Sequence, residues 1–496
     1  MNIIVAYQRK DRGIGKDGSI PWHITEDLKY FKEKTSFLFK SFHKSSTESN
    51  VLFMGRKTWE SIPIKHRALK DRTCYVVSRN KSPEFKKEVE GFENTYLISN
   101  FDEILAFVTN MRKVNVWLIG GAQLYADMIK SFSLTKIYVT EIYTNKGDEF
   151  ECDTFFPEID KSIFSLTDVS PIKSSICRKT NKELHYRFLV YESNETISSE
   201  NMLWKSPELQ YLNALKEIRD TGVKNVDRTG VGTLSKFGMR FEYDLKYGFP
   251  ALTTKRIFLR GVFEELMLYL RGETDNHILQ QKGINIWDGN TSREFLDKRG
   301  LGEYPEGDMG ETYGFNFRHF GGEYTNCRET NRVNNGFDQL AYVIDLIKND
   351  PTSRRIIINL WNSNTLHRAA LPSCLCQYQF YVNSKRGELD LQIYIRSSDF
   401  FLANNWNTVT GALLVYMICN LKDVHLTPGI LKVITGDTHI YSNHLTQVKE
   451  NLKRSPKPFP KLVIKEIKET IEDYCFEDFK LIGYYPDKNI NAPMAV

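Results

Sequence analysis

Asn2-Ile3-Ile4-Val5-Ala6-Tyr7, then Gly13-Ile14-Gly15-Lys16-Asp17-Gly18 and Ser19-Ile20-Pro21-Trp22, open the chain and decide how its first part folds. The first run is apolar and rich in β-branched residues, as a buried strand requires. The glycines after it match the G-x-G-x-x-G spacing of a dinucleotide-binding turn, which works only where the third glycine opens a helix. Here Pro21 biases its predecessor to extended backbone. A flexible glycine loop is therefore expected in place of a phosphate-binding helix start.

Outward from this stretch, short β-branched runs alternate with helix-like segments. Strands are expected at Asn2 to Tyr7, Val51 to Met54, Thr73 to Ser78, Val116 to Ile119, Lys136 to Ile142 and Tyr186 to Tyr191. Glu26 to Lys34, Thr58 to Ser61 and Ala122 to Met128 suit helices, with Thr25 placed to cap the first. That alternation predicts an α/β domain, residues 1–192, with a mostly parallel sheet flanked by helices. The polar segment Glu192 to Glu200 has no apolar period, and a short linker is placed at 193–205. A new helix starts at Glu208, where Tyr211, Leu212, Leu215 and Ile218 follow helical spacing. Residues 206–496 then mix long amphipathic helices (Gly261 to Leu270, Phe337 to Lys348) with strands at Ile356 to Leu360, Gln377 to Val382 and Leu389 to Ile395. The expectation is an α+β domain.

A chain of 496 residues, 41% hydrophobic and 26% charged, should hold two or more domains. Its net charge of +5 is small for this length and demands no nucleic-acid partner. The eight cysteines have no framework spacing, and neither a signal peptide nor a long apolar span is apparent. These features predict free thiols and a cytoplasmic, non-membrane enzyme. Asn194-Glu195-Thr196 fits a glycosylation sequon that means little without secretion. Cys374-Leu375-Cys376 lacks a companion pair at zinc spacing, so no metal is expected.

Three residues carry chemistry by type and setting. Cys374 follows Leu371-Pro372-Ser373 between strand-like runs, with Arg396-Ser397-Ser398-Asp399 on the next strand. A nearby guanidinium favours the thiolate, the reactive form, so Cys374 reads as a nucleophile, against a buried core thiol as the alternative. Asp27 and Phe31 are four apart and share a helix face, suited to bonding and packing a flat heterocycle. A solvated helix-start charge is the alternative for Asp27. Glu265 sits among Phe263, Leu266, Met267 and Leu270, where an unpaired carboxylate would be costly.

The order Pro21-Trp22, Asp27-Leu28, Phe31, Met54-Gly55-Arg56-Lys57-Thr58-Trp59, Ser78-Arg79 and Ile119-Gly120-Gly121 resembles dihydrofolate reductase over most of residues 1–192. The resemblance implies that Asp27 binds the pterin ring and supports its protonation, with Thr140 bonded to Asp27 and Trp22 and Phe31 lining the folate site. Arg72 would pair with the glutamate carboxylate of dihydrofolate, a bidentate task suited to guanidinium. Arg56, Lys57, Thr58, Ser78 and Arg79 would face the cofactor, whose 2′-phosphate favours NADPH. Ala6, Gly15, Gly120 and Gly121 would complete that cofactor site. Trp59 could simply be core.

From about Glu208 to the end the chain resembles thymidylate synthase. The motifs are Asp227-Arg228-Thr229-Gly230-Val231-Gly232-Thr233, the Cys374 block, Arg396-Ser397-Ser398-Asp399 and Gly436-Asp437-Thr438-His439-Ile440-Tyr441. By that resemblance Arg228, Arg396 and Ser397 hold the dUMP phosphate, joined by Arg354 and Arg355 from a partner subunit of a homodimer. Asn407 reads the uracil edge, His439 and Tyr441 bind the deoxyribose hydroxyl, and Glu265 organises water and relays protons. Trp287, Tyr313 and Asp399 line the folate side, and the tail Ala492-Pro493-Met494-Ala495-Val496, with Ala495 at the folate, closes over bound ligands. The chain departs from the pattern at Leu375, for a histidine, and Ile395, for a glutamine. Ala403 and Asn405 replace a glycine and a proline, and Phe317 a tryptophan. The nucleophile, phosphate arginines and pyrimidine asparagine remain, so activity is expected.

Together the resemblances imply a bifunctional enzyme. One half makes dTMP from dUMP and 5,10-methylenetetrahydrofolate, and the other reduces the resulting dihydrofolate with NADPH. Two alternatives are a reductase with an impaired synthase-like dimerisation module and a nucleic-acid-binding regulator. The modest charge, without a basic aromatic-studded stripe, disfavours the second.

Overall fold

The computed structural model describes residues 1–36, 50–67, 69–100, 102–104, 106, 115–130, 134–144, 147–195, 205–226, 229–329 and 336–494. They divide into two compact units, Met1–Lys205 and Ser206–Val496.

In the first unit the strands are β1 (Asn2–Gln8), β2 (Gly13–Gly15), β3 (Asn50–Gly55), β4 (Arg72–Val77), β5 (Thr95–Ile98), β6 (Asn115–Leu118), β7 (Lys136–Tyr143), β8 (Thr154–Phe155), β9 (Phe164–Val169), β10 (Lys173–Ile176) and β11 (Glu183–Ser193). The main sheet runs β10-β11-β7-β1-β6-β3-β4-β5, with β9 also on β11. Its centre, from β7 to β5, is parallel, and β11 joins β7 antiparallel at one side. Successive side chains of a strand point to opposite faces. Accordingly Ile3, Val5, Val51 and Phe53 enter one core cluster, and Ile4, Leu52 and Met54 enter another. Burial on both faces explains why these strands read as continuous apolar runs.

The opening glycines start no helix. Gly13–Gly15 is strand β2, paired with β8, and Lys16 bridges back to Ser19 across a tight turn. Asp17 and Gly18 have φ of 48° and 73°, the left-handed conformation such a turn requires. The first helix is Thr25–Ser36. Thr25 is therefore its first residue, and among the described residues its hydroxyl makes no hydrogen bond to cap it.

The second unit contains β12 (Val223–Asn225), β13 (Thr233–Asp244), β14 (Ile357–Asn359), β15 (Leu375–Asn383), β16 (Glu388–Asp399), β17 (Thr427–Tyr441), β18 (Lys461–Ile464) and β19 (Phe479–Ile482). A six-stranded sheet runs β12-β13-β17-β16-β15-β14. Only its β16–β17 pair is parallel. One face packs Phe241, Tyr378, Phe380, Leu391, Ile393, Leu431 and Val433 against the helices Leu209–Thr221, Leu259–Leu270 and Asn404–Cys419. The other face exposes Tyr381 and Tyr394. Among the described residues no helix is long and apolar enough to cross a membrane.

Candidate active sites

In the first unit Arg56, Lys57, Thr58, Ser78 and Arg79 follow the carboxyl ends of parallel strands, where open α/β sheets form their ligand crevices, while Thr140 lies within β7 and Arg72 opens β4. Asp27 is half-buried on the helix Thr25–Ser36. Its Oδ1 accepts from Thr140 Oγ1 at 2.6 Å, and Thr140 lies opposite Ala6 on the β1–β7 pair. Burial pushes the Asp27 carboxyl up to about 6, and the Thr140 hydrogen bond opposes it. Phe31 follows one turn later, and the Arg72 guanidinium lies 5.8 Å from its ring centroid. Arg72 is 8% exposed, donates to Thr35 Oγ1 at 2.9 Å and to the Lys70 carbonyl at 3.1 Å, and among the described residues forms no ion pair. Trp22 is buried against Phe150, and its Nε1 has no hydrogen-bond partner among the described residues. Trp59 belongs to the core, beneath the Arg67 guanidinium.

The proposed cofactor residues cluster at the ends of β3, β4 and β6. Gly55 N–H donates to the Gly120 carbonyl at 2.8 Å. Gly120 has φ +145°, and a Cβ there would lie 2.6 Å from Thr58 Oγ1. Gly120-Gly121 thus gives the backbone a close approach that a side chain would block. Arg79 and Lys57 are exposed, while Arg56 is held by Glu60 at 2.6 Å. Ser78 is buried, and its Oγ accepts from Asn80 N–H. Gly15 lies on β2.

In the second unit, β15 and β16 bring the nucleophile to its arginine. Arg396 N–H donates to the Cys374 carbonyl at 2.9 Å. The Arg396 side chain is fixed by the Ser373 carbonyl at 3.0 Å and the Pro372 carbonyl at 2.9 Å, which leaves Nη2 3.9 Å from Cys374 Sγ. A guanidinium so placed favours thiolate over thiol. Cys374 N–H donates to Tyr313 Oη at 2.7 Å, so Tyr313, expected on the folate side, also touches the nucleophile's backbone. Tyr313 stacks on Tyr269 and meets Trp287 edge-on. Thr312 Oγ1 and Ser373 Oγ lie 3.1 Å apart beneath the same turn.

Glu265 is buried and accepts from Trp287 Nε1 at 2.7 Å and from Trp406 Nε1 at 2.6 Å. Burial still pushes its carboxyl above the usual range. Asn407, the next residue after Trp406, is half-buried, and its side-chain amide has no hydrogen-bond partner among the described residues. His439 Nδ1 lies 2.7 Å from Asp437 Oδ1, and its ring meets Tyr441 edge-on. Asp399 accepts from Leu402 N–H, and its Oδ1 is 3.9 Å from His444 Nδ1. His444 in turn reaches the Pro493 carbonyl at 2.7 Å, which ties the C-terminal segment to this cluster. Ser397 lies opposite Asp437 on the β16–β17 pair.

Arg354 and Arg355 are not tied to this cluster. Both are exposed just before β14, and among the described residues neither side chain has a partner. Arg228 and Ala495 lie outside the described residues. Leu375 and Ile395, two departures from the family pattern, prove to be cross-strand neighbours, 2% and 0% exposed. One apolar pair thus stands behind Cys374 and Arg396. The sequence reading missed Trp406, Asp437 and Tyr269. The need of Glu265 for a donor was legible, but no local signal identified a tryptophan 141 residues away.

A reductase-type α/β crevice and a thiol-and-arginine site in separate units define a two-activity enzyme class. The dihydrofolate reductase family model matches residues 1–193, and the thymidylate synthase family model matches residues 209–496. A bifunctional dihydrofolate reductase-thymidylate synthase from Zea mays is 40% identical, over 99% of this chain and 96% of its own. One from Arabidopsis thaliana is 40% identical, over 99% and 88%. That of Leishmania major is 37% identical, over 100% and 95%. The chain belongs to the bifunctional dihydrofolate reductase-thymidylate synthase family.

Proposed function

We infer that this enzyme converts dUMP to dTMP by reductive methylation with 5,10-methylenetetrahydrofolate and reduces the dihydrofolate so formed to tetrahydrofolate with NADPH. The observation that carries the synthase half is the Arg396 guanidinium, anchored on two carbonyls and 3.9 Å from Cys374 Sγ. The Cys374 thiolate adds to C6 of dUMP, and C5 becomes a carbon nucleophile towards the methylene group of the folate. Elimination and hydride transfer from the folate then give dTMP and dihydrofolate. This covalent route replaces one difficult substitution by easier steps. Glu265 relays protons beside the pyrimidine, and Asn407 offers its amide, unpaired among the described residues, to the uracil edge as donor and acceptor. His439 and Tyr441 hold the deoxyribose hydroxyl. Arg228, Arg396 and Ser397 hold the phosphate, and Trp287, Tyr313, Asp399 and Ala495 face the folate.

In the reductase half, NADPH supplies the hydride when bound. Arg79 and Lys57, exposed at strand ends beside Thr58 and Ser78, suit the anionic cofactor, with Arg56 joining once it leaves Glu60. The bare backbone at Gly120-Gly121 suits close approach, next to Ala6 and Gly15. Asp27 binds the pterin and supports its protonation, with Thr140 fixing the carboxylate and Trp22 and Phe31 lining the ring. Arg72, buried without an ion-pair partner among the described residues, takes the substrate glutamate carboxylate. The working units are 1–192 and 206–496 with a linker at 193–205, and the enzyme acts in the cytoplasm.

The synthase unit works as a homodimer. Exposed Tyr381 and Tyr394 on the outer sheet face, with Arg354 and Arg355 unpartnered among the described residues, support this reading. In a two-fold dimer each subunit donates the same residues to the other. Cys374→Ser and Arg355→Ala chains, each inactive alone, should then complement. Random mixing of equal amounts should restore roughly one quarter of wild-type synthase sites by two-fold counting. No recovery in confirmed mixed dimers would place these arginines outside the partner's site. For the whole reading, dUMP, methylenetetrahydrofolate and NADPH are supplied together, and dTMP formed and NADPH consumed are both measured. Formation of dTMP without coupled NADPH loss would sink it.

A further inference from the structure

Every residue from Gly261 to Leu270 of the helix that carries Glu265 is buried. Each oxygen of the Glu265 carboxylate meets an indole, Trp287 on Oε1 and Trp406 on Oε2, and the Tyr269 hydroxyl is a third donor to it. An indole N–H donates and cannot accept. The two rings and the Tyr269 hydroxyl favour the ionised form while burial favours the neutral one, and of these donors only the indoles cannot turn to accept a proton. Room for the second ring is built into the helix. Gly261 lies one turn before Glu265 on the same face, and a Cβ there would stand 2.6 Å from Phe258 Cδ1, a half-exposed ring, and 2.8 Å from Trp406 Cη2.

We propose that Trp406 is a positioning residue of the synthase reaction, holding Glu265 by Oε2 to set its orientation and proton affinity, and that Gly261 is glycine to admit the indole. This rests on Glu265 being the proton-relaying carboxylate. The other titratable groups around Glu265 are phenols: Tyr269 of its own helix, Tyr313 of the helix Tyr313–Arg318 and Tyr378 of β15. Burial pushes all three above the usual phenol range, so they stay neutral in a working assay. Cys374 lies beyond Tyr313, and its titration is read separately.

The test uses the full chain as wild type, Trp406→Phe, Gly261→Ala and Glu265→Gln. The rate of dTMP formation at saturating substrates is followed from about pH 5 to about pH 9. Iodoacetamide alkylation, read at the peptide that carries Cys374, reports that thiol among the eight free cysteines, and the thermal transition of the synthase unit in the same chain reports its folding. Glu265→Gln should lose turnover or lose one limb of the profile. Trp406→Phe keeps an aromatic ring, though a smaller one, but removes the donor, and should move that limb upward by about one pH unit. It should change kcat more than KM for dUMP and leave the alkylation profile in place. Gly261→Ala, favourable for helix formation, should shift the limb in the same direction by displacing the indole. If Trp406→Phe does not fold, Gly261→Ala decides alone. Profiles that stay in place in the folded variants, with Glu265→Gln inactive, would overturn the role of Trp406 and leave that of Glu265 standing. A Glu265→Gln enzyme with full turnover and an intact profile would remove both.

Discussion

The two units hold their candidate site carboxylates in different ways. Asp27 in the reductase unit has one side-chain donor, the Thr140 hydroxyl, and its carboxyl is pushed up to about 6. Glu265 in the synthase unit is held at both oxygens by indole N–H groups, with the Tyr269 hydroxyl as a further donor. A hydroxyl can turn and also accept, whereas an indole can only donate. The comparison teaches that burial alone does not set a catalytic acid. Its donors decide how far burial is opposed: burial pushes both carboxyls up here, against one hydroxyl donor at Asp27 and three donors at Glu265.

The largest effects should separate the units. Cys374→Ser should cut dTMP formation at least about a thousandfold while sparing dihydrofolate reduction. Asp27→Asn should do the converse, lowering reduction by about a hundredfold or more, most severely near neutral pH. Steady-state rates of both reactions on each variant check this. Loss of both activities from either change would mean that the units are not independent in function.

Next in size is the apolar pair behind the nucleophile. Leu375→His alone places an imidazole opposite the fully buried Ile395. An unsatisfied buried polar group costs about 1–3 kcal/mol, so synthase turnover or stability should fall about tenfold or more. Leu375→His with Ile395→Gln offers that imidazole a partner and should recover part of the loss. Additive losses across the cycle would show that the two positions are uncoupled.

The smallest effects sharpen the carboxylate comparison. Thr140→Val removes the hydrogen bond that opposes burial at Asp27, so the reductase pH profile should move upward by about one unit. A profile that does not move would mean that Thr140 only packs. Asp27→Asn also bears on stability. Because the folded carboxyl titrates near 6, above its ordinary 3.8, the ionised form costs stability above that pH. The cost fades as pH falls from 6 towards 4. The variant should therefore melt higher than wild type at pH 7.5 and equally at pH 4, by calorimetry of the reductase transition. A lower melting temperature at the higher pH would contradict the burial argument.

Much of the architecture was legible because local pattern carried it. The runs at Asn2 to Tyr7, Val51 to Met54 and Lys136 to Ile142 became β1, β3 and β7 with end shifts of one residue or so. The longest strand was not singled out. β17, Thr427–Tyr441, contains Pro428, Gly429 and Gly436, which read as breakers. In the sheet, a Cβ on Gly436 would lie 2.7 Å from the Arg396 carbonyl, so the glycine admits close approach of β16. The helix Asn404–Cys419 also escaped notice, because it is buried nearly all round and shows no amphipathic period.

What the sequence by itself determined was chemical need and local form. It marked a cysteine with an arginine on the next strand, an acid one turn from an aromatic ring, and a carboxylate in an apolar helix that required a donor. The tertiary structure alone decided who meets those needs. Trp406 reaches Glu265 across 141 residues, and His444 reaches the Pro493 carbonyl across 49. Leu375 faces Ile395 only through the β15–β16 register. The physical reason is one of range. Backbone preference and the cost of burying charge act within a few residues or at one atom, whereas a hydrogen-bond partner is fixed by how whole elements pack.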